Sequence, residues 1–147
     1  MGELMTATHN FGTAPTRGTS AADAFKAALY LTSATVNAAT TAYSASNEVS
    51  GTGYTAGGVA VTIANPPTAT NSSATAGVAF FTPSASITYT TVTLSTAFDA
   101  VLIYNSTQSN KAVSVHTFGS QTITAGTFTL TMPTNNTSTA LLRLSTT

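Results

Sequence analysis

Few side chains of this chain can do acid–base or nucleophilic chemistry, and they do not cluster. Eight are fully charged, Glu3, Arg17, Asp23, Lys26, Glu48, Asp99, Lys111 and Arg143, and two are histidines, His9 and His116. Catalysis at neutral pH needs such groups brought together. The absence of Cys removes a thiolate nucleophile, a thiolate metal site and a disulfide framework. Ser114 and His116 are two residues apart, so on a strand they share a face. A Ser–His pair of this kind suggests nucleophilic catalysis, but no acid stands beside it in sequence to complete a triad. A hydrogen-bonded or solvent-facing strand histidine is the favoured reading. His9 reads as a surface histidine, and two isolated imidazoles do not make a metal centre. Asp99 sits inside the most apolar run. It is either a buried carboxyl with a shifted pKa or, preferably, one that faces a turn or an edge or pairs with Lys111 across a hairpin. A single carboxylate cannot do the paired work of glycoside hydrolysis. These residues assign no catalytic, cofactor-binding or metal-binding position, and the expectation is a non-enzyme without a cofactor.

The stretch Gly51-Thr52-Gly53-Tyr54-Thr55-Ala56-Gly57-Gly58 has the glycine content of a phosphate loop. It lacks the lysine of a P-loop, and no helix clearly follows. Its glycines instead predict a tight path with positive φ, and Tyr54 is expected to anchor that loop on the body of the domain. The triplets beginning at Asn71, Asn105, Asn135 and Asn136 match the glycosylation sequon. In a chain this rich in Ser and Thr they arise by chance.

Strands must position these residues. Residues 1–22 are broken by Gly12, Pro15, Gly18 and Ser20 and read as an N-terminal arm, with one short helical turn near residues 3–7. Residues 25–31 fit a strand with Phe25, Ala27, Leu29 and Leu31 on one face, or an Ala-rich helix capped by Ser20 or Asp23. The strand is preferred, because the run is short and residues 31–36 continue it with Thr and Val. Residues 33–57 form a polar excursion too long for a plain turn. Val59, Val61 and Ile63 alternate as a strand, which Asn65-Pro66-Pro67 stops. Residues 76–82 form a further candidate, ended by Pro83. Ile87 and Tyr89 have opposite parity to Val92 and Leu94, which predicts a bulge near Thr90–Thr91. Residues 98–104 are apolar on both faces and read as a central strand. Residues 105–110 turn, 112–118 return, 127–132 alternate with period 2, and 140–144 close the domain. The expected fold is all-β: an antiparallel β-sandwich or jelly-roll-like domain of about seven or eight strands over residues 23–147, with the arm at residues 1–22.

Composition narrows the partners. A length of 147 residues suits one domain with a real core. The formal net charge is +0 and the charged fraction 5%, which argues against nucleic acid as a partner. No apolar run approaches the roughly 18 residues of a membrane span, and the first ten residues lack the form of a secretory signal. Low charge alone would suggest disorder, but the hydrophobic fraction is 42% and β-formers abound. Thr makes up about a fifth of the chain, far above ordinary usage. Thr favours extended backbone while its hydroxyl keeps an outer face wet. Weakly charged faces of this kind repel little and suit packing on a partner. The five tyrosines Tyr30, Tyr43, Tyr54, Tyr89 and Tyr104 could supply a sugar-binding surface if exposed, a reading weakened by the absence of Trp.

The segment Ala42-Tyr43-Ser44-Ala45-Ser46-Asn47-Glu48-Val49-Ser50-Gly51-Thr52-Gly53-Tyr54-Thr55-Ala56-Gly57-Gly58 resembles a group of small tailed-bacteriophage virion structural proteins. Similarity extends to a leading strand at residues 25–32 and a hairpin over residues 100–115 with Ile103-Tyr104-Asn105 before its turn. It covers most of residues 20–145, and only the Asn47 to Gly58 motif is specific. The chain departs from the group in its scarce charge and its lengthened N-terminal arm. The resemblance implies a non-enzymatic virion component made in the bacterial cytoplasm, most simply a head decoration or cement protein. Its partners would then be the major capsid protein, copies of itself, or both, with many copies per particle. A tail, neck or fibre-attachment module and a carbohydrate- or host-recognition domain are the alternatives.

Overall fold

A computed structural model describes residues 23–63, 68–72 and 75–145. The expected arm at residues 1–22, with His9 and the helical turn expected near residues 3–7, lies outside the described residues, as does Asn65-Pro66-Pro67. The described chain is all-β and antiparallel, without a helix among the described residues. Two compact units are present, residues 23–61 with 87–130, and residues 62–86 with 131–145.

The first unit is a four-stranded sheet in the order β2-β1-β5-β6. Its strands are β1 (Phe25–Leu31), β2 (Val59–Val61), β5 (Ile87–Asn105) and β6 (Lys111–Leu130). β1 lies between β2 and β5, with Phe25 opposite both Val61 and Asn105. Both faces of β1 are covered, so Ala27, Ala28, Leu29 and Tyr30 are all buried. That explains why its small and large apolar residues do not alternate with polar ones. The strand ends at Leu31 and does not continue to residue 36. There the Ala34 amide turns back to the Leu31 carbonyl, and the Thr32 amide reaches the Ala97 carbonyl.

The segments 86–94 and 98–104 are one strand of 19 residues, and 112–118 and 127–130 belong to one of 20. The separate strands expected from sequence merge because bulges, not turns, cause their changes of parity. The pairing of β5 with β6 shifts register at five places, one of them between Tyr89 and Val92. Thr91 sits there with φ 54°, and Ile87, Tyr89, Val92 and Leu94 are all buried despite their opposite parity. Bulges also bend strands. Phe118 and Phe128 would stand about 33 Å apart on a straight strand, yet their ring centroids are 5.4 Å apart. The hairpin therefore curls back on itself around an aromatic centre. Phe98 meets Phe118 and Phe128 edge-on at 6.0 and 5.1 Å, and Tyr89 lies 6.1 Å from Phe128.

Asp23 fixes the turn end of this hairpin. Its carboxylate accepts from the Asn105 side-chain Nδ2 at 2.8 Å and the Gln108 side-chain Nε2 at 3.2 Å. Asn105 is fully buried, and its Oδ1 accepts the Thr107 and Gln108 backbone amides. The asparagine of one chance sequon is thus a turn-building residue. Asp99 does not pair with Lys111. Lys111 stands opposite Asn105, six residues and about 20 Å along β5 from Asp99.

The second unit is a three-stranded sheet in the order β3-β4-β7, formed by β3 (Thr68–Ser72), β4 (Thr75–Phe81) and β7 (Leu142–Ser145). β3 was not expected from sequence, since a polar TATNS run carries no apolar period. The buried Thr82 hydroxyl accepts the Leu141 amide at 2.9 Å. Asn136 organises the preceding loop, its Oδ1 accepting the Ser138 and Thr139 amides at 2.8 Å each.

Candidate functional site

Glu48 lies at the centre of a polar cluster in the first unit. The excursion of residues 33–58 runs back along β1 where β2 has ended. The Leu31 amide donates to the Asn47 carbonyl at 3.0 Å and the Val49 amide to the Leu29 carbonyl at 2.9 Å, so Glu48 bridges Tyr30. Asn47 takes φ 58°, a left-handed conformation that Asn tolerates better than most residues. Further on, the Thr93 amide donates to the Thr52 carbonyl at 2.9 Å.

Three donors from the excursion converge on the Glu48 carboxylate. The Tyr43 hydroxyl donates to Oε2 at 2.6 Å, and the Tyr54 hydroxyl and the Gly57 amide donate to Oε1 at 2.8 Å each. Tyr54 links this knot to the sheet: its hydroxyl accepts the Leu29 amide at 3.0 Å, and its ring stacks on Tyr89 at 5.9 Å. Tyr104 adds a second link, stacking on Tyr43 at 4.7 Å and donating to the Gly57 carbonyl at 2.8 Å. Tyr30 donates to the Ser44 carbonyl and Tyr89 to the Ala27 carbonyl. All five tyrosines of the chain therefore bind the excursion to the sheet or brace the strand beneath it. Burial pushes the pKa of each hydroxyl up, and the neighbouring Glu48 charge adds in the same direction.

Close backbone approach explains the glycines. A Cβ on Gly58, where φ is +74°, would collide with the Ala27 carbonyl oxygen, and one on Gly51 with the Thr93 carbonyl oxygen. The loop offers no phosphate cradle. The Tyr54, Gly57 and Gly58 amides are taken by the Gly51 carbonyl, Glu48 and the Thr55 carbonyl.

Tyr54 anchors its loop as expected. The part played by Glu48 was missed, although a lone carboxylate between Tyr43 and Tyr54 in an almost uncharged stretch was the available signal. The tyrosines do not form a sugar platform. Tyr30, Tyr89 and Tyr104 are 1%, 2% and 2% exposed, and Tyr43 and Tyr54 are half-buried with their hydroxyls on Glu48. The structure does bring Ser114 and His116 together, Oγ to Nε2 at 3.0 Å. Burial lowers the His116 pKa, which favours a neutral imidazole. Among the described residues no hydrogen bond or ion pair joins His116 to a carboxylate, so the pair lacks an orienting acid. Nor do three His, Asp or Glu side chains gather as metal ligands among the described residues. A half-open cleft of about 200 Å³ lies beside the excursion, lined in part by Tyr30, Val36, Ser44 and Asn47. It is uncharged and smaller than a typical small-molecule site.

The site is thus a knot of internal hydrogen bonds. In comparisons with known proteins no family model, no curated protein and no solved structure matches this chain.

Proposed function

We propose that this chain is a non-enzymatic structural protein of a tailed-bacteriophage particle, and specifically a head decoration or cement protein that bridges major capsid subunits. The observation that carries this reading is the resemblance of residues 47–58. The geometry supports it in one respect: Glu48, Tyr54 and the glycines are spent on holding the excursion to the sheet, and a scaffold role accounts for the motif without a ligand. We read the fold as an antiparallel β-sandwich or jelly roll, which the self-packed β5–β6 hairpin supports, with residues 1–22 as a docking arm. Many copies on a shell would turn modest neutral contacts into a firm clamp through avidity.

Copy number per particle tests the assignment. Hundreds of copies, measured by quantitative proteomics or imaging of virions, fit decoration. A few copies move the protein to the tail or neck, and absence from purified particles refutes a virion role. Deleting residues 1–19 is expected to leave the domain folded and weaken shell docking. Undiminished docking by the truncated chain counts against the arm.

A further inference from the structure

A sheet exposes unpaired backbone groups at its two edge strands, and the two edges of the first unit's sheet differ. On one side β2 is three residues long, and the excursion takes over beside β1 where β2 ends. On the other side β6 runs for 20 residues. Among the described residues β5 is its one partner strand in the sheet. The excursion covers its other side at the start, where the Tyr43 amide donates to the Asn110 carbonyl and the Ala112 amide to the Thr41 carbonyl. Past that point the direction of each backbone group follows from β1. Leu29 and Leu31 turn theirs to the excursion. Alternate residues of an antiparallel strand face alternate neighbours, so Ala28 and Tyr30 bond to β5, at Leu102 and Ala100. Val101 and Ile103 are then the residues of β5 that bond to β6, at His116 and Ser114. Val115 and Thr117 therefore point their N–H and C=O groups away from β5, over the open edge. Beyond Thr117 the strand bulges, since Ala100 faces Thr117 while Phe98 faces Gln121.

We propose that this edge pairs with the same edge of a second copy of the chain, antiparallel about a two-fold axis at His116. Val115 of each copy then faces Thr117 of the other, and each such pair exchanges two hydrogen bonds. The four open groups of each copy are all satisfied, and the contact is self-complementary, as a two-fold interface must be. Charge and sequence favour a second copy as the occupant. No Asp, Glu, Lys or Arg occurs from residue 112 to residue 142, so self-pairing brings no like charges together. Burial favours the neutral form of His116, which meets its own copy at the axis. The run Val113-Ser114-Val115-His116-Thr117-Phe118 also lacks the Lys or Pro that guards the edge of a monomeric sheet. Two four-stranded sheets thereby become one continuous sheet. This inference concerns the purified chain in solution and does not rest on the virion assignment.

Sedimentation of the full chain at neutral pH tests it, from about 1 µM to 1 mM because so short a ladder makes a weak contact. The mass should rise toward that of a dimer with concentration. Over the same range the Val115 and Thr117 amides should gain protection from hydrogen exchange, while amides of residues 127–129 stay as they were. T117P removes an N–H that β5 does not use and takes two hydrogen bonds from the dimer. It should raise the dissociation constant at least about tenfold. T117K leaves the backbone intact, sets a charge on the edge and should weaken association likewise. T127K, at an exposed position of the same strand, should leave it unchanged. A chain that stays monomeric throughout overturns the proposal, as does a dimer in which the Val115 and Thr117 amides gain no protection. Wild-type association by T117K, or equal weakening by T127K, also overturns it, and T117K decides alone should T117P fail to fold.

Discussion

Replacing Tyr54 by Phe removes one oxygen and leaves the ring on Tyr89, so its effect isolates the hydroxyl. That oxygen accepts the Leu29 amide at 3.0 Å and donates to Glu48 at 2.8 Å. Leu29 is fully buried, and an N–H left there without an acceptor costs about 1–3 kcal/mol. A hydrogen bond to a charged group contributes about 1.5–3 kcal/mol, but Glu48 is half-buried and water can replace part of it, leaving about 1 kcal/mol. The two losses together come to about 3 kcal/mol, a fall in Tm of about 10 °C for a chain of this length. Tyr89→Phe removes only the neutral hydrogen bond to the Ala27 carbonyl and should cost about 1 kcal/mol. Tyr43→Phe, at the more open side of the knot, should cost less than that. Urea denaturation followed by tyrosine fluorescence is a suitable assay, because the chain has no Trp and all five tyrosines lie in the first unit. If Tyr54→Phe costs no more than Tyr43→Phe, the hydroxyl is not the link between knot and sheet, and the account of the motif fails.

Other perturbations test separate parts of the structure. Gly58→Ala should cost at least about 3 kcal/mol or prevent folding, since it adds a collision to a left-handed backbone; an expression and melting comparison with Ala56→Gly in the same loop checks it. Alkali should unfold the first unit steeply. Unfolded tyrosines ionise near pH 10 while the folded ones have raised pKa values. Above pH 10 the unfolded chain therefore holds fewer protons, and stability falls as pH rises. Tyrosinate absorbance should appear in one cooperative step, and gradual independent titration would contradict the buried knot. His116 acts in the opposite direction. Its folded pKa is lowered, so the unfolded chain binds more protons below its ordinary value of about 6.5, and stability declines as pH drops through that value. His116→Gln should flatten the slope below about pH 6.5, measured as the urea midpoint against pH.

Short apolar runs identified β1 and the central part of β5, and period-2 alternation identified β2 and the end of β6. The parity switch between Tyr89 and Val92 was legible as a bulge. Its consequence was not, since a bend brings Phe118 against Phe128 only through the summed effect of several register shifts. β3 was hidden because edge strands need no apolar period of their own, only a partner such as β4 to supply the ladder. The knot was half legible. Glycines and an aromatic predicted a tight anchored loop, but the distances in sequence from Glu48 to Tyr43, Tyr54 and Gly57 follow no period. Only the folded path of the excursion brings them within hydrogen-bonding reach.

The scarcity of charge also has a structural consequence. Of the four acidic residues, Glu3 lies outside the described residues. Asp23 and Glu48 each accept hydrogen bonds that close a loop, Asp23 at the turn of the long hairpin and Glu48 in the excursion. Asp99 is half-buried on β5. Two of the three described carboxylates are therefore engaged in closing loops. The exposed positions of the β5–β6 hairpin fall instead to Thr88, Thr90, Thr122, Thr124, Thr127 and Thr129. A partner that meets such a face strips water from hydroxyls and methyls, not from ions, and so avoids the heavy desolvation cost of buried charge. An association of that kind should hardly respond to ionic strength, since screening acts on charges. A docking reaction that collapses between low and physiological salt would place the contact elsewhere, on the few cations Arg17, Lys26, Lys111 and Arg143.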